Sequence, residues 1–490
     1  MRPAFRNVTY NLAGQMLPMA VAVVALPVLV RYAGTDRLGF LGLAWALIGY
    51  FALLDLGLSR IVTRRVALAD AHGELAAESR VVWRLCLHLF GVVAVIALLL
   101  AAVIPARWIV GPSAAPGLLD EAQAALPILW ATVPATVVTG LLRGTLEGMQ
   151  RFAKANALRA FFGVWSFAAP LAILPFTNDL FALTLSIAAG RVLALFAHAW
   201  WTLDALRGHA INEARSGRQS TGPSSPKLGA MVREGGWLTV SNVVGPMMVT
   251  FDRFAIAAIV SLTAASYYFV PQEVALRLLV IPGAIATTIF PMLARIRGSG
   301  GDRNRISRDA LLAIAAASLP ACAILAGLAE PLITVWMGPQ FAVASAPVAA
   351  LLSVGLFANC CAQAPFAWIQ AAGRADVTGK LHLLELPIYA MLLVALTWRF
   401  GIIGTALAWS LRGLADCALM FRASSLLFDD VILASVLRPI ALGVATLALL
   451  ATTRFLAHEV LHWTIVAVLL AFSLVLSLTL ALRLRANLRR

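Results

Sequence analysis

A chain of 490 residues that is 61% hydrophobic and 12% charged, with a mean hydropathy of +0.88, lies far outside the composition of a water-soluble domain of that length, which excludes a soluble enzyme. Thirty-eight Lys and Arg against 23 Asp and Glu give a net charge of +15, an excess to be tested against membrane orientation before it is read as a sign of nucleic acid. At about 20 residues per helical crossing, the apolar share leaves room for about fourteen transmembrane helices, so an all-α polytopic membrane protein is predicted.

In chain order, apolar runs bounded by charged, Gly or Pro breaks predict spans near 9–30, 40–62, 82–104, 123–142, 157–176, 181–204, 234–259, 265–293, 310–334, 343–370, 380–399, 401–421, 432–453 and 463–482. The first follows Arg2 and Arg6 as a signal peptide's apolar core would. It is nonetheless about twenty residues long, with no A-x-A-like site before Arg31, and reads as an uncleaved first helix.

With the amino terminus inside, the inner connections collect about 29 Lys and Arg, among them Arg60, Arg64, Arg143, Arg151, Lys154, Arg215, Arg303 and Arg374. The outer connections hold Arg31, Arg37, Arg107, Arg399 and Arg454. A bias close to six to one puts both termini in the cytoplasm and accounts for the excess charge, so no nucleic-acid role is needed.

The stretch from Arg207 to Arg233 contains SGRQSTGPSSPK, a flexible Gly/Ser/Pro-rich composition. It divides the chain into an N-lobe (1–206), a cytoplasmic linker (207–233), a C-lobe (234–422) and a final part (423–490) with two additional spans and a basic tail. An internal comparison agrees: LEGMQRFAKANAL from Leu146 lies over IQAAGRADVTGKL from Ile369, and Phe176, Ala182, Leu183 and Ser186 fall on Phe400, Ala406, Leu407 and Ser410 at nearly the same offset. Six spans per half is an even number, so the repeats are related by an axis along the membrane normal, an arrangement that encloses a central substrate cavity.

Four arginines remain inside spans: Arg191, Arg253, Arg277 and Arg412. At about 1.5 Å per residue, Arg191, Arg277 and Arg412 lie roughly 15–18 Å from the outer ends, near the middle of the hydrocarbon. Each would cost about 2.5–3.5 kcal/mol at the bilayer centre, so they are expected to face a wet interior. Internal ion pairing is the competing reading, because Glu273 precedes Arg277 by four residues, Asp416 follows Arg412 by four and Asp252 adjoins Arg253. Arg191 has no acidic residue within helical reach.

His198, seven residues past Arg191, lies on a similar face and is a candidate for coupling transport to protons, with a neutral buried histidine as the alternative. Asp55, Glu273 and Asp416 are the other candidates for ion coupling or pairing; Asp55 and Glu385 sit nearer the cytoplasmic side, Asp55 within reach of Arg60 and Arg64. Gly140, Gly144 and Gly148 line one helix face with small residues and predict close helix contact. The five cysteines lie in apolar runs without metal spacing, so no metal and no cofactor is expected. There is no P-loop, H-E-x-x-H or G-x-S-x-G, which argues against an enzyme and leaves ions, membrane potential or the substrate gradient as the energy source.

NLAGQ from Asn11, LPVLVRYAGTDRLGFLGL from Leu26 and the D-L-G-L turn at Asp55 resemble the opening two spans of the oligosaccharide-unit (Wzx-type) flippases. These form the polysaccharide transporter family, in a superfamily that also holds the multidrug and toxin extrusion exporters and the lipid II flippase. FDRFAIAAIVSLTAASYYFVPQEVALRLL from Phe251 resembles that family's seventh and eighth spans, and MGPQF at Met337, IQAAGRAD at Ile369 and FGIIGTALAWSL at Phe400 also fit. The resemblance covers most of residues 8–421. It implies two six-helix lobes around a cavity opening alternately to each side, and carriage of a polyprenyl-diphosphate-linked oligosaccharide across the bacterial inner membrane for surface polysaccharide. It also implies a cationic cavity, to which Arg191, Arg277, Arg412 and Arg253 are assigned by depth and type. The implied partners are the lipid-linked oligosaccharide, membrane lipids, a proton or sodium counter-ion and polysaccharide-assembly proteins. A multidrug exporter of the same fold, a lipid II flippase and a membrane-embedded glycan polymerase or transferase are the alternatives. The first span, Val8 to Val30, carries no carboxylate and the mid-membrane charge is mainly basic, which favours an anionic substrate over a cationic drug.

Overall fold

In the computed structural model, residues 2–52, 58–111, 116–216, 228–286, 300–428, 433–453 and 459–488 are described. Among them ten helices are long and apolar enough to cross a membrane, and a shorter apolar helix covers Val436–Thr452. The sequence predicts fourteen spans. The ten include one merged pair at Ala375–Leu427, and short helices such as Thr35–Phe51 fall below the length of a crossing. Large apolar side chains on the outside, such as Leu87, Leu98 and Leu99 and again Val468, Leu474 and Leu478, would be unstable against water and suit hydrocarbon. The protein is a multi-pass helical membrane protein.

The chain forms two compact units, Met1–Thr250 with Ser261–Thr263, and Phe251–Val260 with Ala264–Arg490. The first holds α1 (Arg2–Ala33), α2 (Thr35–Phe51), α3 (Leu58–His72), α4 (Leu75–Val103), α5 (Ala106–Val110), α6 (Pro116–Gly148), α7 (Phe152–Ile173), α8 (Leu180–Ser216) and most of α9 (Leu228–Ile259). The predicted span 40–62 is thus divided between α2 and α3, and Asp55 lies outside the described residues.

In this unit α6 packs against α3, α4 and α8, while α7 joins α1 to α8. The small-residue face of α6 makes the α3 contact possible. A Cβ at Gly144 would stand 2.6 Å from the Ser59 carbonyl oxygen, and one at Gly148 would stand 2.7 Å from that of Thr63. The Thr63 hydroxyl reaches the Gly144 carbonyl at 2.9 Å across the same seam. Val62, Val66, Leu141, Leu142 and Leu146 fill the buried core beside it. On α3 and α4, buried Arg65 and Glu78 pair through two bonds of 2.5 and 2.8 Å.

The second unit holds the end of α9, α10 (Leu262–Arg277) from Ala264 onward, α11 (Gly300–Gly327), α12 (Ala329–Met337), α13 (Pro339–Ala371), α14 (Ala375–Phe428), α15 (Leu433–Thr452) and α16 (Glu459–Leu488). The predicted span 310–334 is interrupted at Leu328, where α12 begins. The apolar helix α13 is buried along most of its length, with α11, α12, α14 and α15 packed around it. Two helices run together in α14 across Gly401, whose φ of 58° and ψ of −140° suit a residue without Cβ. All five cysteines are free and buried as core residues.

Candidate functional site

The sequence FDRFAIAAI ends α9 with a carboxylate and a guanidinium side by side, and YYFVPQEVALR places two pairs on α10, Tyr268 with Gln272 and Glu273 with Arg277, each four residues apart. Folding brings these groups into one network. Asp252 is fully buried; its Oδ2 accepts the Tyr268 hydroxyl and the Gln272 amide, each at 2.6 Å, and its Oδ1 accepts the Arg253 backbone N–H at 2.8 Å. Three donors therefore replace the hydration this carboxylate loses. Arg253 donates from Nε to Gln272 Oε1 at 2.5 Å and from Nη2 to Glu273 Oε1 at 3.0 Å, with its guanidinium 4.6 Å from the Phe269 ring centroid. Glu273 Oε2 accepts Arg277 Nη2 at 3.0 Å. Two acids and two bases close a neutral circuit in which Gln272 bridges the charges.

The pairing of Arg277 with Glu273 four residues earlier is the one the spacing predicts. That of Arg253 is different: its carboxylate partner is Glu273 on the next helix, and the adjacent Asp252 takes only its backbone N–H. Arg277 keeps 40% of its side chain exposed, while Arg253 keeps 5%.

A second cluster lies within α14. Positions at equal distance from Gly401 meet, as the hydroxyls of Thr397 and Thr405 do at 2.8 Å. Deeper along the hairpin, the Arg412 guanidinium lies 5.7 Å from the Tyr389 ring centroid and 5.8 Å from that of Trp409. His382 Nε2 stands 3.7 Å from Asp416 Oδ1, and Glu385 is a close neighbour of Asp416. Asp416 does not clamp Arg412, whose Nε and Nη2 have no hydrogen-bond partner among the described residues. Sequence reasoning missed His382, Tyr389, Tyr268 and Gln272. The available signal was a polar residue in an otherwise apolar run.

In the first unit, Arg191 on α8 donates from Nη2 to the Ser166 hydroxyl on α7 at 2.9 Å. No carboxylate stands within ion-pair distance of it among the described residues. Close packing sets this geometry: Trp165 donates to the Ser186 carbonyl at 2.9 Å, and a Cβ at Gly190 would lie 2.2 Å from Trp165 Cδ1. His198, two turns further along α8, is buried, with Nδ1 2.8 Å from the Ala194 carbonyl oxygen. It neighbours Arg143 and Arg159, which share Glu147 at 3.7 and 3.5 Å. Among the described residues, no group of three or more His, Cys, Asp or Glu is placed to hold a metal ion.

A membrane-embedded helical protein with arginines set inside its spans and hydrogen-bonded acids beside them has the construction of a transporter. The chain belongs to the polysaccharide biosynthesis protein family, whose model matches residues 4–297. It is 28% identical over 419 residues to a Shigella flexneri protein named "Putative O-antigen transporter", covering 85% of this chain and 96% of that one. Its fold is similar to that of the lipid II flippase MurJ in an inward closed conformation, with a TM-score of 0.71 and 12% identity over 99% of this chain and 100% of that one. It is also similar to an inward-facing multidrug resistance MATE family transporter of the MOP superfamily, with a TM-score of 0.62 and 15% identity over 86% and 98%. At those identities the structural likeness defines the fold alone.

Proposed function

We propose that this protein is a flippase that carries a polyprenyl-diphosphate-linked oligosaccharide across the bacterial inner membrane by alternating access, with both termini in the cytoplasm. The flipped unit would feed the proteins that assemble surface polysaccharide, and a proton or sodium gradient would drive the cycle. The family and the Shigella relative support the substrate class.

The observation that carries this reading is Arg191, a permanent cation inside a span whose partner is a hydroxyl. A sugar diphosphate cannot cross hydrocarbon unaided because its hydroxyls and charges would lose hydration without replacement. A guanidinium about 4 Å from a phosphate charge contributes roughly 4 kcal/mol at an effective dielectric of 20, and its planar fork suits phosphate oxygens. In the first unit Arg191 is the cation we assign to the diphosphate, and within the second unit Arg412, two of whose nitrogens lack a hydrogen-bond partner among the described residues, is a further cation for an anionic substrate. Arg277 is assigned a like role in the second unit through its exposed part. Arg253, held on both sides, orients Gln272 and Glu273. The compensation of Asp252 and Glu273 by bonded donors leaves those acids poor receptors for a cationic drug.

Reconstitution into liposomes with a fluorescent polyprenyl-diphosphate glycan tests the proposal. Transfer to the far leaflet should exceed that of empty vesicles and depend on an imposed ion gradient; equal transfer in both would refute it.

A further inference from the structure

Two carboxylates, one guanidinium and one imidazole meet inside the α14 hairpin: Glu385, Asp416, Arg412 and His382 are only 5%, 6%, 6% and 8% exposed. Among the described residues, both Glu385 oxygens, Asp416 Oδ1, His382 Nδ1, Arg412 Nε and Nη2 and the Tyr389 hydroxyl lack a hydrogen-bond partner. Buried polar atoms are nearly always satisfied, so such a concentration in one place points to something that binds there.

Charge identifies it. With both acids ionised, the cluster holds two negative charges against the single permanent positive charge of Arg412, away from water. Ionised carboxylates are also acceptors only, so neither neighbour can satisfy the other. One proton corrects both defects, because it removes the surplus charge and turns one acid into a donor.

We propose that Glu385 and Asp416 share a single proton within the α14 hairpin, with Arg412 as fixed counter-charge and His382 as the group through which the proton exchanges. The pair is then the site at which the second unit takes up the coupling ion. That role rests on the transport reading, whereas the shared proton does not. The titratable and charged groups facing the pair are His382, Tyr389, Arg412 and Cys417 on α14 itself, Cys361 on α13 beside Cys417, and Tyr268 on α10 and Asp252 on α9 near Tyr389. Asp252 already accepts three hydrogen bonds, which leaves Glu385 and Asp416 as the acids lacking donors.

Full-length protein in lipid nanodiscs, without substrate, is treated with dicyclohexylcarbodiimide, which modifies buried carboxylic acids but not carboxylates. The adducts are mapped by mass spectrometry across a pH series. Glu385 or Asp416 should be labelled in any one molecule, and labelling should fall about tenfold per pH unit once the pair has lost its proton. In Glu385→Gln, Asp416 keeps Arg412 and His382 beside it without a second acid and should lose its label, while a change at exposed Asp204, Asp204→Asn, should label as the wild type does. Absence of label at both residues in the folded wild type overturns the proposal, and that arm needs no variant to fold. Undiminished Asp416 labelling in Glu385→Gln also overturns it, as does suppression by sodium but not choline at constant pH, which would make the ligand a metal cation. A protein that fails to flip glycans yet labels as described would sink the transport reading and leave the shared proton standing.

Discussion

Arg191 and Ser166 face one another across α8 and α7 at 2.9 Å, so this guanidinium inside a span is held by a neutral oxygen. The hydroxyl fixes its direction without cancelling its charge. Arg253 is the opposite case, since Glu273 neutralises it and Gln272 orients it. The first arrangement leaves a cation without a carboxylate partner among the described residues, and the second ties a cation to an acid and an amide.

Arg191→Ala should therefore lower the initial rate of glycan-lipid transfer by roughly 30- to 1,000-fold, the equivalent of about 2–4 kcal/mol of lost charge interaction. Protein yield and melting temperature should stay close to wild type, because a half-buried cation that no carboxylate among the described residues neutralises has been removed. Ser166→Ala should cost less than about tenfold in rate. Liposome assays showing normal transfer by Arg191→Ala would take this residue out of the site.

Asp252→Ala strips the acceptor from Tyr268, Gln272 and the Arg253 backbone at once. Unpaired polar and charged groups left buried in this way cost about 3–5 kcal/mol. Thermal unfolding in detergent should show a clearly lower midpoint, with Asp252→Asn intermediate because its amide oxygen keeps one acceptor. A midpoint unchanged in Asp252→Ala would mean the network is dispensable.

The Arg65–Glu78 pair offers a double-mutant cycle. Either single change to Ala takes the opposite charge away from a buried one and should destabilise by about 3–5 kcal/mol, whereas an apolar pair such as Arg65→Met with Glu78→Leu should recover most of that loss. Additive effects of the two single substitutions would show that the bidentate contact contributes nothing.

Gly401→Ala places a Cβ on a backbone at φ 58° and ψ −140°, which should cost about 1–3 kcal/mol in strain. Because the hairpin register sets which residues meet along α14, limited proteolysis should also cut faster near 401. Wild-type stability and proteolysis would indicate that the turn tolerates other conformations.

Much of the fold was legible because insertion into hydrocarbon is decided by composition over windows of about 20 residues, which a linear reading samples directly. The same holds for contacts within one helix turn: Glu273 with Arg277 follows from a spacing of four. The seam of Gly144 and Gly148 against α3 was visible for the same reason, although its partner, Ser59 to Thr63, was not.

What remained hidden was every pairing made across helices. Tyr268 and Gln272 on Asp252, Glu273 on Arg253, Ser166 on Arg191 and Glu385 beside Asp416 depend on the register between neighbouring helices, which packing of their apolar surfaces sets. Glu385 and Asp416 are separated along the chain, and they become neighbours because the turn at Gly401 folds one half of α14 onto the other. The sequence by itself determined that charge is buried in this membrane protein and of which sign. The tertiary structure alone decided which of those charges meet an opposite charge and which meet neutral groups, because neutralisation acts over a few ångströms that only packing can arrange.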